Sequence, residues 1–211
     1  MVHAVRYRLV KQEMERLIIA TTNKGKLREY VQMLEGFRIR VDGLKDFDGL
    51  TEPVEDGGSF QANAEIKARE YALQTGEWVL ADDSGLEVNA LGGAPGVNSA
   101  RFGGEGTDYE QKMNLILASL SGAEDRSAQF VCVIAVARPD GTIAATSIGE
   151  CRGEIADAPR GSNGFGYDPF FIPEGHARTF GEMTDAEKRS LSHRARAADE
   201  IIHKMLDFIG V

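Results

Sequence analysis

The sequence predicts a mixed-sheet α/β protein, and three observations carry that prediction. Short apolar runs and amphipathic helical stretches alternate through the first half, as they do in α/β folds. Two long β-rich runs, Ala128 to Ala137 and Thr142 to Gly149, flank Pro139-Asp140-Gly141, a turn tripeptide that folds them into an antiparallel hairpin. The chain has 211 residues and is 42% hydrophobic, which suits one large domain or two lobes sharing a sheet.

Taken in order, Leu17 to Thr21 is a short buried strand. A helix follows in which Leu27, Tyr30, Val31 and Leu34 recur at helical spacing, with Gly36 placed to end it. Arg38 to Val41 alternates as a second strand, and residues 43 to 58 form a loop rich in Gly, Asp and Glu. Ser59 caps a helix from Phe60 to about Gln74. Trp78 to Ala81 and Leu86 to Leu91 read as two strands, with Asp82-Asp83-Ser84-Gly85 making the turn between them. A long Gly-rich loop leads to Thr107 and Glu110, which have capping-box spacing. The helix they open carries Tyr109, Met113, Ile116, Leu117 and Leu120 on one face. Thr184 and Glu187 repeat the capping-box spacing. Ser192 caps a last helix with Ala198, Ile201, Ile202, Met205 and Ile209 at helical intervals.

The formal net charge of −9 argues against broad nucleic-acid binding, which needs many phosphate contacts, and leaves room for a local basic pocket that takes one small polyanion. The two cysteines, Cys132 and Cys151, make neither a disulfide framework nor a metal spacing and fit a reducing, cytoplasmic compartment. No apolar run reaches the length of a membrane span. The start lacks the continuous apolar stretch of a signal peptide. Residues 1–14 read as an extension without assigned function, Met14 being a candidate start, and residues 15–211 as a single catalytic domain.

Four polar motifs stand at the edges of hydrophobic elements. In Thr21-Thr22-Asn23-Lys24-Gly25-Lys26, a strand meets a helix N-terminus. Exposed amides and the helix dipole there favour an anion, Thr21 and Asn23 can donate, Lys24 and Lys26 add charge, and Gly25 lets a phosphate approach. The same residues also make a plain Asn-capped helix. Lys67 shares a helix face with Asn63 and either reaches into a polar cleft or, as suits a single lysine better, snorkels to water. Asp82 and Asp83 alternate in direction if the strand persists. One can hold the turn while the other binds Mg²⁺ or polarises water, with a second acid available from Glu52, Glu55 or Asp56. Gly164, Phe165, Gly166, Tyr167 and Asp168 pair glycines with aromatics, a pattern that lets a base stack or simply buries Phe165 in a structured turn. Ser192, His193 and Arg194 sit at a helix start. A cation is mildly unfavourable there, His193 titrates near neutrality by default, and both side chains can donate to a purine.

Together these motifs, with SFQANAEIKAR, LGGAPGVNSAR and EKRSLSHR, resemble the inosine triphosphate pyrophosphatase family, also called Ham1-like or non-canonical purine NTP pyrophosphatases. They occur in the family's order from Leu17 to about Ile209. The resemblance implies a two-lobed α/β fold with a long central mixed β-sheet flanked by helices and a substrate cleft between the lobes. It implies a homodimer that uses Mg²⁺ to cleave ITP, dITP or XTP between the α and β phosphates. The role would be to clear deaminated purines from the nucleotide pool. Carried over residue by residue, Thr21 to Lys26 would hold the triphosphate, and Lys67 would add a phosphate contact and join Asp83 in the catalytic pair. Asp83 would accept the proton and, with Glu55, ligate the metal. Ser84 would touch substrate, Phe165 to Asp168 would frame the base, and Lys188, His193 and Arg194 would complete its pocket. The alternatives are a non-catalytic nucleotide-binding or sensor module, a pyrophosphatase for other altered nucleotides, and a nucleic-acid binder.

Overall fold

A computed structural model describes residues 14–208. The expected extension lies outside the described residues except for Met14, as does Ile209. Met14 is buried, and its amide donates to the Phe208 carbonyl.

Six strands form one mixed sheet in the order β2-β1-β3-β4-β5-β6. β1 (Arg16–Ile19) pairs in parallel with β2 (Arg40–Gly43) and with β3 (Trp78–Val88). β4 (Ser127–Ala137), β5 (Ile143–Ile155) and β6 (Phe171–Pro173) follow in antiparallel steps. Helix α1 (Lys24–Met33) crosses from β1 to β2, and α2 (Phe60–Thr75) leads into β3. Helices α3 (Tyr109–Ser119), α4 (Asp185–Arg189) and α5 (His193–Met205) are the other α-helices of the described residues.

The mixed α/β prediction holds, with one large correction. Asp82-Asp83-Ser84-Gly85 is not a turn. β3 runs through it without a break, paired residue for residue with β4 from Val79↔Ala137 to Val88↔Ala128. The local composition is that of a turn, but a ladder of ten paired residues outweighs it. Gly85 serves a different end: a Cβ there would meet the Gly96 carbonyl and Ser99 Oγ, so glycine lets the 96–99 segment lie against the strand. Smaller corrections concern boundaries. β2 begins at Arg40 and β5 continues to Ile155. The cap of α3 is Asp108 with Gln111, one residue beyond the expected pair. The caps Asn23, Ser59, Thr184 and Ser192 are as expected.

Alternation along the long strands sends residues to opposite faces, and each face carries its own core. On one face Leu17, Ile19, Leu80, Ile134 and Val136 pack under Tyr30 and Leu34 of α1 and Ala197, Ile201 and Met205 of α5. Further along that face Leu86, Val88 and Phe130 meet Met113 and Ile116 of α3 and the aromatics Tyr167, Phe170, Phe171 and Phe180. On the opposite face Ile18, Val79, Val131 and Val133 pack beneath Phe60, Ala64, Ala68 and Tyr71 of α2. The first two cores share a face and are separated where β3 carries Asp82 and Ser84 instead of apolar side chains. That gap positions the site.

Candidate active site

Asp82 and Asp83, adjacent in β3, face opposite ways. Asp82 turns into the gap and is fully buried. Its Oδ2 lies 2.9 Å from Lys26 Nζ and 3.4 Å from an Arg194 terminal nitrogen, and it accepts from Cys132 Sγ at 3.7 Å. Burial works to raise its pKa, but the charges of Lys26, Arg194 and Lys67 overcome that and hold it well below the usual carboxylate range. Burial beside Asp82 pushes the Cys132 thiol up to about 12, so it stays protonated. Both cysteines are free.

From Asp82 the ion pairs continue. Arg194 donates to Glu29 Oε2 at 2.7 Å and to Ser84 Oγ at 3.0 Å. Glu29, on α1, also receives Lys188 at 3.2 Å, and Lys188 reaches Asp168 at 2.7 Å. Asp168 in turn accepts the Phe165 amide at 2.7 Å. Three cations and three carboxylates therefore tie β3, α5, α1 and the 164–168 loop together. Phe165 rests on this chain: Lys188 Nζ lies 4.6 Å and the Arg194 guanidinium carbon 5.6 Å from its ring centroid. A Cβ on Gly25 would come within 2.6 Å of the Phe165 ring, so glycine there lets helix and ring touch.

Asp83 faces α2. Its Oδ2 accepts from Asn63 at 3.0 Å and its Oδ1 from the Ser84 amide at 3.1 Å. Lys67 Nζ donates to the Asp82 carbonyl at 2.9 Å and lies 3.2 Å from Glu55 and 4.0 Å from Asp83. Lys67 thus points into the cleft rather than snorkelling, and of the three acids left open Glu55 is the one paired with it, while Glu52 also lines the cleft. Burial raises the Asp83 pKa. Lys67 and Asn63 oppose the rise, and Glu55 reinforces it.

The two faces open into one cleft of about 450 Å³. Thr21, Thr22, Asn23, Lys26, Glu55, Lys67, Asp83, Ser84, Phe165, Gly166, Tyr167, Asp168, Lys188, His193 and Arg194 all line it. Lys24 and Gly25 do not: Lys24 is exposed and borders a neighbouring depression with Leu44 and Tyr71, and Gly25 lies under Phe165. Two of the amides expected to be open to an anion are occupied, since Asn23 Oδ1 accepts from Gly25 and Lys26. His193 does not titrate near neutrality. Burial, with Arg194 and Lys188 close by, holds its pKa well below 6.5, and its ring stacks on Phe130 at 4.7 Å. Tyr167 is a wall residue, its hydroxyl bonded to the Ser99 carbonyl at 2.9 Å. The sequence assigns no site role to Glu29, Ser99 or Arg101, and reads Tyr109, which lines the cleft, only as part of the apolar face of α3. For Glu29 a signal existed: it lies three residues after Lys26, on the helix face that buries Tyr30.

Residues 17–204 match the model of the Ham1 family. The chain belongs to the Ham1 family. Ham1 relatives include a dITP/XTP pyrophosphatase of Syntrophobacter fumaroxidans, 50% identical over 185 residues, with 88% of this chain and 79% of the relative covered. Another, from a Nostoc species, carries the same name and is 50% identical over 191 residues, covering 90% and 93%. The fold matches a HAM1 protein from Coxiella burnetii with a TM-score of 0.84 and 38% identity, over 92% of this chain and all of that one. It also matches a nucleoside-triphosphatase, or dITP/XTP pyrophosphatase, of Mycobacterium abscessus with a TM-score of 0.73 and 42% identity, over 89% and 98%.

Proposed function

We propose that this Ham1 protein is a nucleoside triphosphate pyrophosphatase. It hydrolyses the non-canonical purine nucleotides ITP, dITP and XTP to the monophosphate and pyrophosphate, a reading supported by the dITP/XTP pyrophosphatase names of its relatives. Within this proposal it is Mg²⁺-dependent, with residues 15–211 as one catalytic unit. The observation that carries the reading is β3 itself, which buries Asp82 against Lys26 and Arg194 on one face and turns Asp83 into the cleft beside Lys67 and Glu55 on the other.

Asp83 is suited to take the proton of the attacking water, because a raised pKa makes it a stronger base than a solvated aspartate. Lys26, Lys67, Thr21 and Asn23 hold phosphate oxygens, and Lys67 offsets charge that grows in the transition state. Glu55 and Asp83 suit Mg²⁺: both carboxylates converge on one cation position, now taken by the Lys67 ammonium, and Mg²⁺ takes one or two carboxylates beside substrate phosphates and waters. When bound, the ion would neutralise charge on phosphate oxygens. Among the described residues, two cleft side chains keep a buried nitrogen without a partner, His193 Nδ1 and Arg194 Nε; a third such nitrogen, Trp78 Nε1, lies away from the cleft. A 6-oxo purine supplies acceptors for such donors, and the 6-amino group of adenine does not.

The proposal includes a homodimer and residence in the cytoplasm. The free buried cysteines fit the latter, and sedimentation velocity tests the former. The net charge of −9 favours a small-molecule substrate over nucleic acid, and no described helix is long and apolar enough to cross a membrane. The test is incubation with Mg²⁺ and ITP, XTP, ATP or GTP, with products resolved by chromatography. Monophosphate and pyrophosphate are expected from ITP and XTP, with ATP and GTP spared. Diphosphate with orthophosphate, or no turnover, overturns the reading.

A further inference from the structure

The cations in the cleft are nearly all spoken for. Lys26 is paired with Asp82, Lys67 with Glu55 and Asp83, Lys188 with Asp168 and Glu29, and Arg194 with Glu29 and Asp82. A triphosphate entering such a site finds balanced charge rather than an excess of cations. Arg101 is the exception. It lines the cleft and is exposed, and its guanidinium has no ion pair or hydrogen bond among the described residues.

Its backbone, in contrast, is firmly mounted. Ser99 Oγ accepts from the Leu86 amide at 2.9 Å, and the Ser99 carbonyl takes the Tyr167 hydroxyl at 2.9 Å. The next carbonyl, Ala100, receives the buried Lys112 ammonium at 2.7 Å, and the Arg101 amide donates to Asn98 at 2.9 Å. Lys112 is held in turn 4.5 Å from the Tyr109 ring centroid. The segment also lies against Gly85, on the side where Phe60 of α2 approaches. Asp83 and Gly85 point the same way along β3, so the segment that leads to Arg101 lies against the face that carries Asp83. A fixed backbone carrying an unpaired guanidinium is a pre-organised phosphate contact, able to form paired bonds to phosphate oxygens.

We propose that Arg101 binds the β and γ phosphates of the substrate, supplying the one cation of the cleft that no carboxylate neutralises among the described residues. This rests on the triphosphate reading of the same site, and the experiment separates the two. Titration calorimetry with inorganic pyrophosphate and Mg²⁺, and separately with IMP, is run on the wild-type protein and on Arg101→Gln and Arg101→Lys. ITP kinetics are measured alongside.

For Arg101→Gln, pyrophosphate affinity falls roughly tenfold or more, the scale of one charge-assisted hydrogen bond. The KM for ITP rises in parallel, IMP affinity is unchanged, and Arg101→Lys recovers part of the loss. Unchanged pyrophosphate affinity in Arg101→Gln overturns the proposal, as does an equal loss of IMP affinity, which would place the contact elsewhere on the nucleotide. Failure of the wild type to cleave ITP defeats the functional reading instead, while the pyrophosphate titration still decides the role of Arg101. Far-UV circular dichroism of both variants excludes misfolding as the cause.

Discussion

Two neighbouring aspartates separate stability from chemistry. Asp82 is buried against Lys26 and Arg194, so Asp82→Asn leaves two cations short of a partner. Breaking a buried pair from one side costs about 3–5 kcal/mol, and urea denaturation of the variant should show a loss on that scale. The folded pKa of Asp82 lies below its ordinary value of 3.8. Its contribution to stability is therefore present above that value and is lost as pH falls toward the depressed one. Asp83→Asn acts differently. Its side chain has fewer charged partners, so the variant should fold with near-native stability, bind ITP and lose turnover by a factor of about 10² or more. In the unsubstituted protein, burial raises the Asp83 pKa, and a base must be ionised to work. The acid limb of the kcat/KM profile should accordingly vanish in the variant. A limb that persists unchanged in the variant would remove Asp83 as the base. Arg194 belongs to both classes: its guanidinium spans Glu29, Asp82 and Ser84, so Arg194→Ala weakens the fold as well as the base pocket.

Elements place these residues by close contact. α5 crosses β5 where the strand has Gly149, and a Cβ there would meet the His193 carbonyl and the Ala197 amide. Gly149→Ala should displace the start of α5, and with it His193 and Arg194, at a stability cost of about 1–3 kcal/mol from overpacking. The KM for ITP should rise while affinity for pyrophosphate holds, because Lys26 and Lys67 stand on other helices; equal losses of both would show a general collapse. The helix starts were legible in the sequence because capping is local: Asn23, Ser59, Thr184 and Ser192 each bond an amide two or three residues on. The course of β3 was not, because Asp-Asp-Ser-Gly has turn composition and its strand state comes from pairing with β4. Nor was the role of Glu29, whose partner Arg194 is 165 positions away, or the three-residue β6, whose pairing to β5 is set by neighbours rather than by propensity. The candidate site was read more fully than the strand that carries it. Its motifs are contiguous, whereas the ion pairs that join them are not.

At the scale of the molecule, the cleft divides two cores that share their longest strands. β3 carries Leu80 into one core and Leu86 into the other, and β4 does the same with Ile134 and Phe130. The ion-pair chain from Asp82 through Arg194, Glu29 and Lys188 to Asp168 crosses the same divide. Neither lobe can lose its packing without disturbing strands that the other needs, so unfolding should be a single cooperative transition despite the cleft. The chain provides its own probe. Trp78 is its one tryptophan, buried in the first core and stacked 5.4 Å from Phe208, far along the sheet from the aromatics of the second. Tryptophan fluorescence should therefore report the first core, and far-UV circular dichroism the whole molecule. Their thermal and urea midpoints should coincide, and inorganic pyrophosphate with Mg²⁺ should raise both together, because a ligand of the folded state stabilises all that unfolds with it. A fluorescence transition separated from the circular dichroism transition would mean that the shared strands do not couple the lobes, and that the cleft is a boundary between independently folding halves.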